Sequence, residues 1–218
     1  MPTTSRMPGP QRRAQLLQVA TTQFGDRGYQ RTSMEDIALA AGVTKPVLYQ
    51  HFASKEDLYL AVIDQLGAAM VAGFETLLER HARTADRVEG GVRLFLEEFA
   101  GSGPAFQLIA QGENISPAVS ERLGEVLDTT IDVLATILRR ARVLTLEEAR
   151  ILGRGIAALA QSEIAQIQAA ESEQQREQVV ATLVTFITDG LRGFAPTAAT
   201  AEDDRNGTEP STHAAGLH

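Results

Sequence analysis

Apolar residues recur every three or four positions along almost the whole chain, and period-two alternation bounded by hairpin turns is nearly absent. This pattern predicts an all-α fold of about nine helices. The first covers about 11–27, with Leu16, Leu17, Ala20 and Phe24 on one side and Gly28 as its stop. A second, about 34–41, starts where Ser33 pairs with Asp36, or Thr32 with Glu35; Ser33 is the preferred cap, and Gly42 ends the helix. A third, about 45–52, takes Thr44 as cap and holds Pro46 in its first turn, where a missing N–H costs nothing. Ser54 with Asp57 opens a long fourth helix running to about residue 80, in which Leu58, Val62, Leu66, Met70, Phe74 and Leu77 keep helical step. Further helices are predicted at about 86–100, 104–114, 117–142, 146–170 and 173–191, the last two opened by Thr145 with Glu148 and Ser172 with Gln175. Residues 1–9 and 195–218 lack periodicity and read as a disordered arm and tail, which leaves 10–54 and 55–194 as two domains.

The second and third helices are short and joined by Gly42-Val43-Thr44, a connection that holds two helices crossed at a large angle, as in a helix-turn-helix. If Ile37, Ala38, Ala41, Val43, Leu48 and Phe52 form their shared core, then Thr44, Lys45, Pro46, Val47, Tyr49 and His51 lie at or near the outside. A cation, hydroxyls, an imidazole and small apolar groups together suit a helix in the DNA major groove. Polar groups meet base edges and phosphates there, and apolar atoms meet thymine methyls.

Charge changes the picture by its distribution. The 218 residues carry a net charge of -8, which argues against a polyanion as partner. Residues 1–59, however, sum to +2 and hold both lysines of the chain, so the acidity belongs to the remainder. No cysteine is present, which excludes disulfides, zinc–thiolate sites and thiol catalysis. No nucleophile–base pair, Gly-rich phosphate loop or metal-ligand cluster stands out, so no enzyme activity, cofactor or metal is expected. Unbroken apolar runs are a few residues long and the start lacks a secretory segment, so no membrane partner is expected and the cytoplasm is the default.

The stretch TSMEDIALAAGVTKPVLYQHFASKEDL, Thr32 to Leu58, closely resembles the DNA-binding domain of the TetR family of bacterial transcriptional regulators. The run from Gly42 to Leu58 carries that resemblance most specifically, through Leu48-Tyr49, His51-Phe52 and Ser54-Lys55 in order. The resemblance implies a homodimeric regulator bound to a palindromic double-stranded operator. It makes Ser33 a phosphate contact, places Thr44, Lys45, Pro46 and Val47 at base edges, and makes Tyr49 and Lys55 phosphate anchors. His51 occupies a position that sometimes reaches phosphate, or is a partly buried ring that touches no DNA. Arg12 and Arg13 could reach a neighbouring groove on charge alone.

For the C-terminal half, the stripes of 146–170 (Leu152, Ile156, Leu159, Ile164) and 173–191 (Val179, Val180, Leu183, Ile187, Leu191) suit a four-helix bundle with a second copy, as the resemblance also implies. Alternatively they face only the protomer's own core. Met70, Phe74, Phe95, Phe99, Phe106 and Ile109 are either plain core or the lining of a ligand cavity. With Gln107, Gln111, Glu113, Asn114 and Gln161 as the polar groups nearby, a small hydrophobic or acyl-like effector fits better than a sugar or nucleotide. The head followed by LYLAV is also similar to actinobacterial regulators of fatty-acid metabolism, which implies an acyl-CoA effector and activation as well as repression. The remaining alternative is a constitutive DNA-binding dimer without an effector.

Overall fold

A computed structural model describes residues 8–79, 90, 93 and 115–201. Their helices are α1 (Gly9–Arg27), α2 (Met34–Ala40), α3 (Lys45–His51), α4 (Lys55–Glu79), α5 (Pro117–Ala141), α6 (Leu146–Ala169) and α7 (Glu173–Leu191). The helices expected at 86–100 and 104–114 lie outside the described residues apart from 90 and 93, and with them Phe95, Phe99, Phe106 and Ile109.

The caps fall where polar side chains could satisfy first-turn N–H groups. Ser33 and Asp36 form both halves of a capping box, as do Thr145 and Glu148. Ser54 accepts the Asp57 N–H at 2.9 Å, and Ser172 accepts that of Gln175 at 3.2 Å. Thr44 departs from expectation: it is the N-cap of α3 by position, but its side chain makes no capping bond. Gly42 has φ +66°, a conformation in which a side chain would be strained. In the turn it forms, the Val43 N–H bonds back to the Ala38 carbonyl at 2.9 Å.

Two cores result. In the first, Leu16, Ala20 and Phe24 of α1 pack with Ile37 and Ala38 of α2, Leu48 of α3, and Leu58, Tyr59, Val62 and Ile63 of α4. Val119 and Leu123, from the first turns of α5, belong to this same cluster. The second core joins Met70 and Phe74 of α4 to the inward faces of α5, α6 and α7. Helix α4 therefore runs through both, and α5 bridges them from the other side. By length and mean hydropathy Lys55–Thr76 would suffice to cross a bilayer, which the absence of long unbroken apolar runs had concealed. Its apolar positions Leu58, Val62, Met70 and Phe74 are instead consumed by the two cores.

The segment after α7 corrects the expectation of a disordered tail from residue 195. Val143 donates its N–H to the Ala195 carbonyl at 2.8 Å, and the Thr197 N–H reaches the Ala141 carbonyl at 3.2 Å. Thr197 Oγ1 donates to the Arg140 carbonyl at 2.8 Å, and Thr200 Oγ1 to that of Ala141 at 3.0 Å. Threonines replace apolar anchors here, so hydrophobic periodicity could not register the docking.

Candidate nucleic-acid interface

Helices α2 and α3 are only 7 residues each, and Met34, Ile37, Ala38 and Leu48 are buried while Leu39 stays exposed. Ile37 and Leu48 are fully buried, and Phe52 closes the core just past α3. The polar positions are thereby forced outward. Ser33, Thr44, Lys45, Pro46 and Tyr49 are exposed, while Val47 and His51 are half-buried. The structure thus brings these seven expected residues to one end of the head.

The same surface includes Gln50, exposed one helical turn beyond Pro46, which sequence reasoning left out. Its i+4 relation to Pro46 was a usable signal, since both must share a helix face. With Thr44 making no capping bond, its hydroxyl remains available at the leading end of α3. Lys45 stands 3.9 Å from Glu35 across the α2–α3 angle. Both are well exposed, so this pairing is weak and can open toward an external anion.

Two expected phosphate contacts look different in three dimensions. Ser33 donates its hydroxyl to Asp36 Oδ2 at 2.6 Å, and its backbone N–H reaches the same oxygen at 3.0 Å. Those bonds hold the Asp36 carboxyl below its ordinary range. A carboxylate therefore already occupies the anion position at the start of α2, and the Ser33 hydroxyl proton is committed to it.

Lys55 is likewise turned to the protein's own backbone. Its Nζ donates to the carbonyls of Tyr29 at 3.0 Å and Thr32 at 3.1 Å, and it sits 4.1 Å from the centroid of the Tyr29 ring. Two of its three N–H groups are spent, so Lys55 pins the turn leading into α2. Tyr29 belongs to an aromatic cluster with Phe24 and Tyr59, with centroids 5.0–5.9 Å apart. Burial raises the phenol pKa of both Tyr29 and Tyr59. No spacing rule connects Lys55 with carbonyls 23 and 26 residues earlier, so only the folded chain reveals this. Arg13 is drawn in similarly, its guanidinium 4.4 Å from the Phe52 ring centroid, while Arg12 donates to Gln15 at 2.6 Å.

A polar contact as well as the shared core joins the head to the rest of the molecule. Ser116, the N-cap of α5, donates its hydroxyl to Glu56 Oε1 at 3.1 Å. Glu56 neighbours Lys55, so the start of α5 and the turn before α2 meet at the first turn of α4.

A model of the bacterial regulatory proteins of the tetR family matches residues 16–62. The chain is 33% identical over 156 residues to the HTH-type transcriptional activator FasR of Mycolicibacterium smegmatis, a match covering 71% of each protein. The chain belongs to the TetR family. Its members are DNA-binding transcriptional regulators, so this chain is one. It is also 33% identical to the HTH-type transcriptional repressor KstR2 of Mycobacterium tuberculosis, over 40% of this chain and 42% of that protein. In fold it is similar to the transcriptional regulator FadR of Bacillus subtilis, solved in complex with stearoyl-CoA. The TM-score is 0.64 at 18% identity, over 78% of this chain and 97% of that one.

The other expected sites separate on inspection. Met70 and Phe74 are buried in the second core, packed with α5, α6 and α7. Of the residues expected at the dimer interface, Ile156, Val180, Leu183 and Ile187 are buried inside the protomer, and Leu152 and Leu159 are half-buried. Within the single chain α6 and α7 use those stripes in their own core, the alternative that the sequence left open. Large apolar side chains exposed on the two helices are Leu146, Ile151 and Phe186, 48%, 56% and 64% exposed. The side chain of Ile164 lies outside the described residues.

Proposed function

We infer that this regulator binds a palindromic operator as a homodimer, acts as a repressor by occupying it, and releases it on binding a small hydrophobic effector of the acyl class. The observation that carries the DNA reading is the outward face of α3. There Thr44, Lys45, Pro46, Tyr49 and Gln50 are all exposed while Leu48 is fully buried behind them. The arrangement offers donors, a mobile cation and a rigid apolar edge to a major groove, with Val47 and His51 at its margin. Paired copies would set two such helices about 34–36 Å apart, the spacing of successive major grooves. The face carrying Ile151 and Phe186 supplies the exposed apolar surface for that pairing.

An effector response is supported by the way α5 enters the head. Val119 and Leu123 share the head's core, and Ser116 bonds to Glu56. A ligand that shifts α5 or α4 therefore reorients α3, and it changes operator affinity by its differential affinity for the two arrangements. The acyl assignment is supported by the stearoyl-CoA complex of the similarly folded FadR. Tight packing of Met70 and Phe74 favours a second reading, a constitutive DNA-binding dimer.

A footprint of the purified protein on its own upstream region, repeated with long-chain acyl-CoA and with free fatty acid, tests these readings. Protection of a two-fold symmetric site that is relieved by one lipid supports the first, and protection indifferent to both supports the second. No protection of any duplex at low salt refutes both.

A further inference from the structure

The C-terminal end of α5 concentrates positive charge outside the α3 surface. Helix α5 ends with Arg139 and Arg140 in its last turn, and Arg142 is its C-cap. With Thr136, Val143 and Thr197 these arginines line a hollow of about 420 Å³, within the range of small-molecule sites. Val119 is buried in the head core, and the helix from there to Arg139 is roughly 30 Å long at 1.5 Å per residue. The hollow and the α3 surface therefore lie at opposite ends of α5.

Several described arginines are matched to carboxylates: Arg93 to Glu177, Arg122 to Asp64 and Glu125, Arg150 to Asp132, Arg192 to Asp189. Among the described residues no carboxylate pairs with Arg139, Arg140 or Arg142. Arg139 Nε donates to the Leu144 carbonyl at 3.3 Å, and Arg142 donates to the carbonyls of Leu191 at 2.9 Å and Ala141 at 3.1 Å. These bonds orient two guanidinium groups and leave most of their donors unspent.

Arginines at a helix C-terminus ordinarily complement the negative end of its dipole. Here that need is partly met by other groups, because Thr197 and Thr200 already donate to the carbonyls of Arg140 and Ala141. The docked segment 195–201 thus caps the helix end and at the same time supplies one wall of the hollow through Thr197.

The geometry points to a binding site for a phosphate-bearing small molecule, with a diphosphate as the recognised group. Three guanidinium groups with donors to spare match the acceptor pattern of phosphate oxygens better than a single carboxylate. The site is separate from the α3 surface on which the DNA reading rests.

Calorimetric titration of the full-length protein near physiological ionic strength tests this, with inorganic pyrophosphate and ADP as probes. Saturable binding of at least one probe is expected, weakened tenfold or more in the double variant Arg139→Gln/Arg140→Gln. Equal affinity for the two would assign recognition to the diphosphate itself, and tighter ADP binding would add the nucleoside. Thr136→Glu, which leaves every arginine–carbonyl bond in place, should abolish binding, whereas Arg122→Gln should leave it unchanged. Absence of saturable binding, unchanged affinity in both hollow variants, or an equal loss with Arg122→Gln would overturn the proposal.

Discussion

The α2–α3 head and the α6–α7 layer are both built from amphipathic helices, yet their apolar stripes teach different things. In the head the helices are 7 residues long, so burying Ile37 and Leu48 turns the polar residues outward, with Leu39 and Tyr49 as the large apolar side chains left exposed. Inside and outside are then fixed together. Helices α6 and α7, with 24 and 19 residues, are long enough to carry an inward face and a separate outward one. Their conspicuous stripe, Ile156 with Val180, Leu183 and Ile187, serves the protomer. The outward face is sparser and is marked by Ile151 and Phe186. A stripe shows that a surface is buried, without showing by what.

Truncating each core gives the largest expected effect. Leu48→Ala in the head should cost about 2–5 kcal/mol and abolish operator binding, because α3 has no other deep anchor. Leu183→Glu should destabilise the second core by at least as much. Thermal unfolding followed by circular dichroism measures both. Phe186→Glu and Ile151→Glu should behave oppositely to Leu183→Glu: helicity and melting should hold while sedimentation detects monomers. If Leu183→Glu folds and merely dissociates, the assignment of inward and outward faces is reversed.

The two lysines sharpen the comparison further. Lys55→Met removes two charge-assisted bonds to carbonyls and the contact with Tyr29, so melting should fall by the equivalent of about 1–3 kcal/mol. Lys45→Ala should leave melting unchanged and weaken operator binding by about 1–3 kcal/mol with altered base preference. Equal melting of the two variants would show that Lys55 faces solvent or DNA after all.

The smallest effect concerns acid. Bonds from Ser33 depress the carboxyl pKa of Asp36 below its ordinary 3.8. A group whose folded pKa is lowered contributes stability that is fully present above the unfolded value and lost as pH falls through the folded one. Wild-type stability should therefore decline below about pH 4, and Asp36→Asn should flatten that part of the profile. Denaturant unfolding across pH 5 to 2.5 reads the difference, and a profile identical to wild type would remove the box from the account.

Much of the candidate site was legible because local chemistry and long-range packing agree there. Ser33, Ser54, Thr145 and Ser172 cap helices at positions set by neighbours three residues away, and the outward residues of α3 follow from the burial of Leu48. Where partners lie far apart in the chain, legibility fails. Lys55 finds carbonyls of the α1–α2 turn, Ser116 finds Glu56, and Thr197 and Thr200 find the end of α5. Such polar contacts leave no periodic trace.

Taken alone, the order of residues decides that the chain is helical, where most helices begin and end, and that residues 16–62 make a TetR-type head, since each depends on interactions within a few positions. Tertiary packing decides which amphipathic face each long helix buries at home. It also decides that Lys55 serves the scaffold, and that three arginines without a carboxylate partner among the described residues share a hollow with Thr136 and Thr197. Those outcomes depend on which surfaces compete for the same space, and that competition arises only once the helices are packed together.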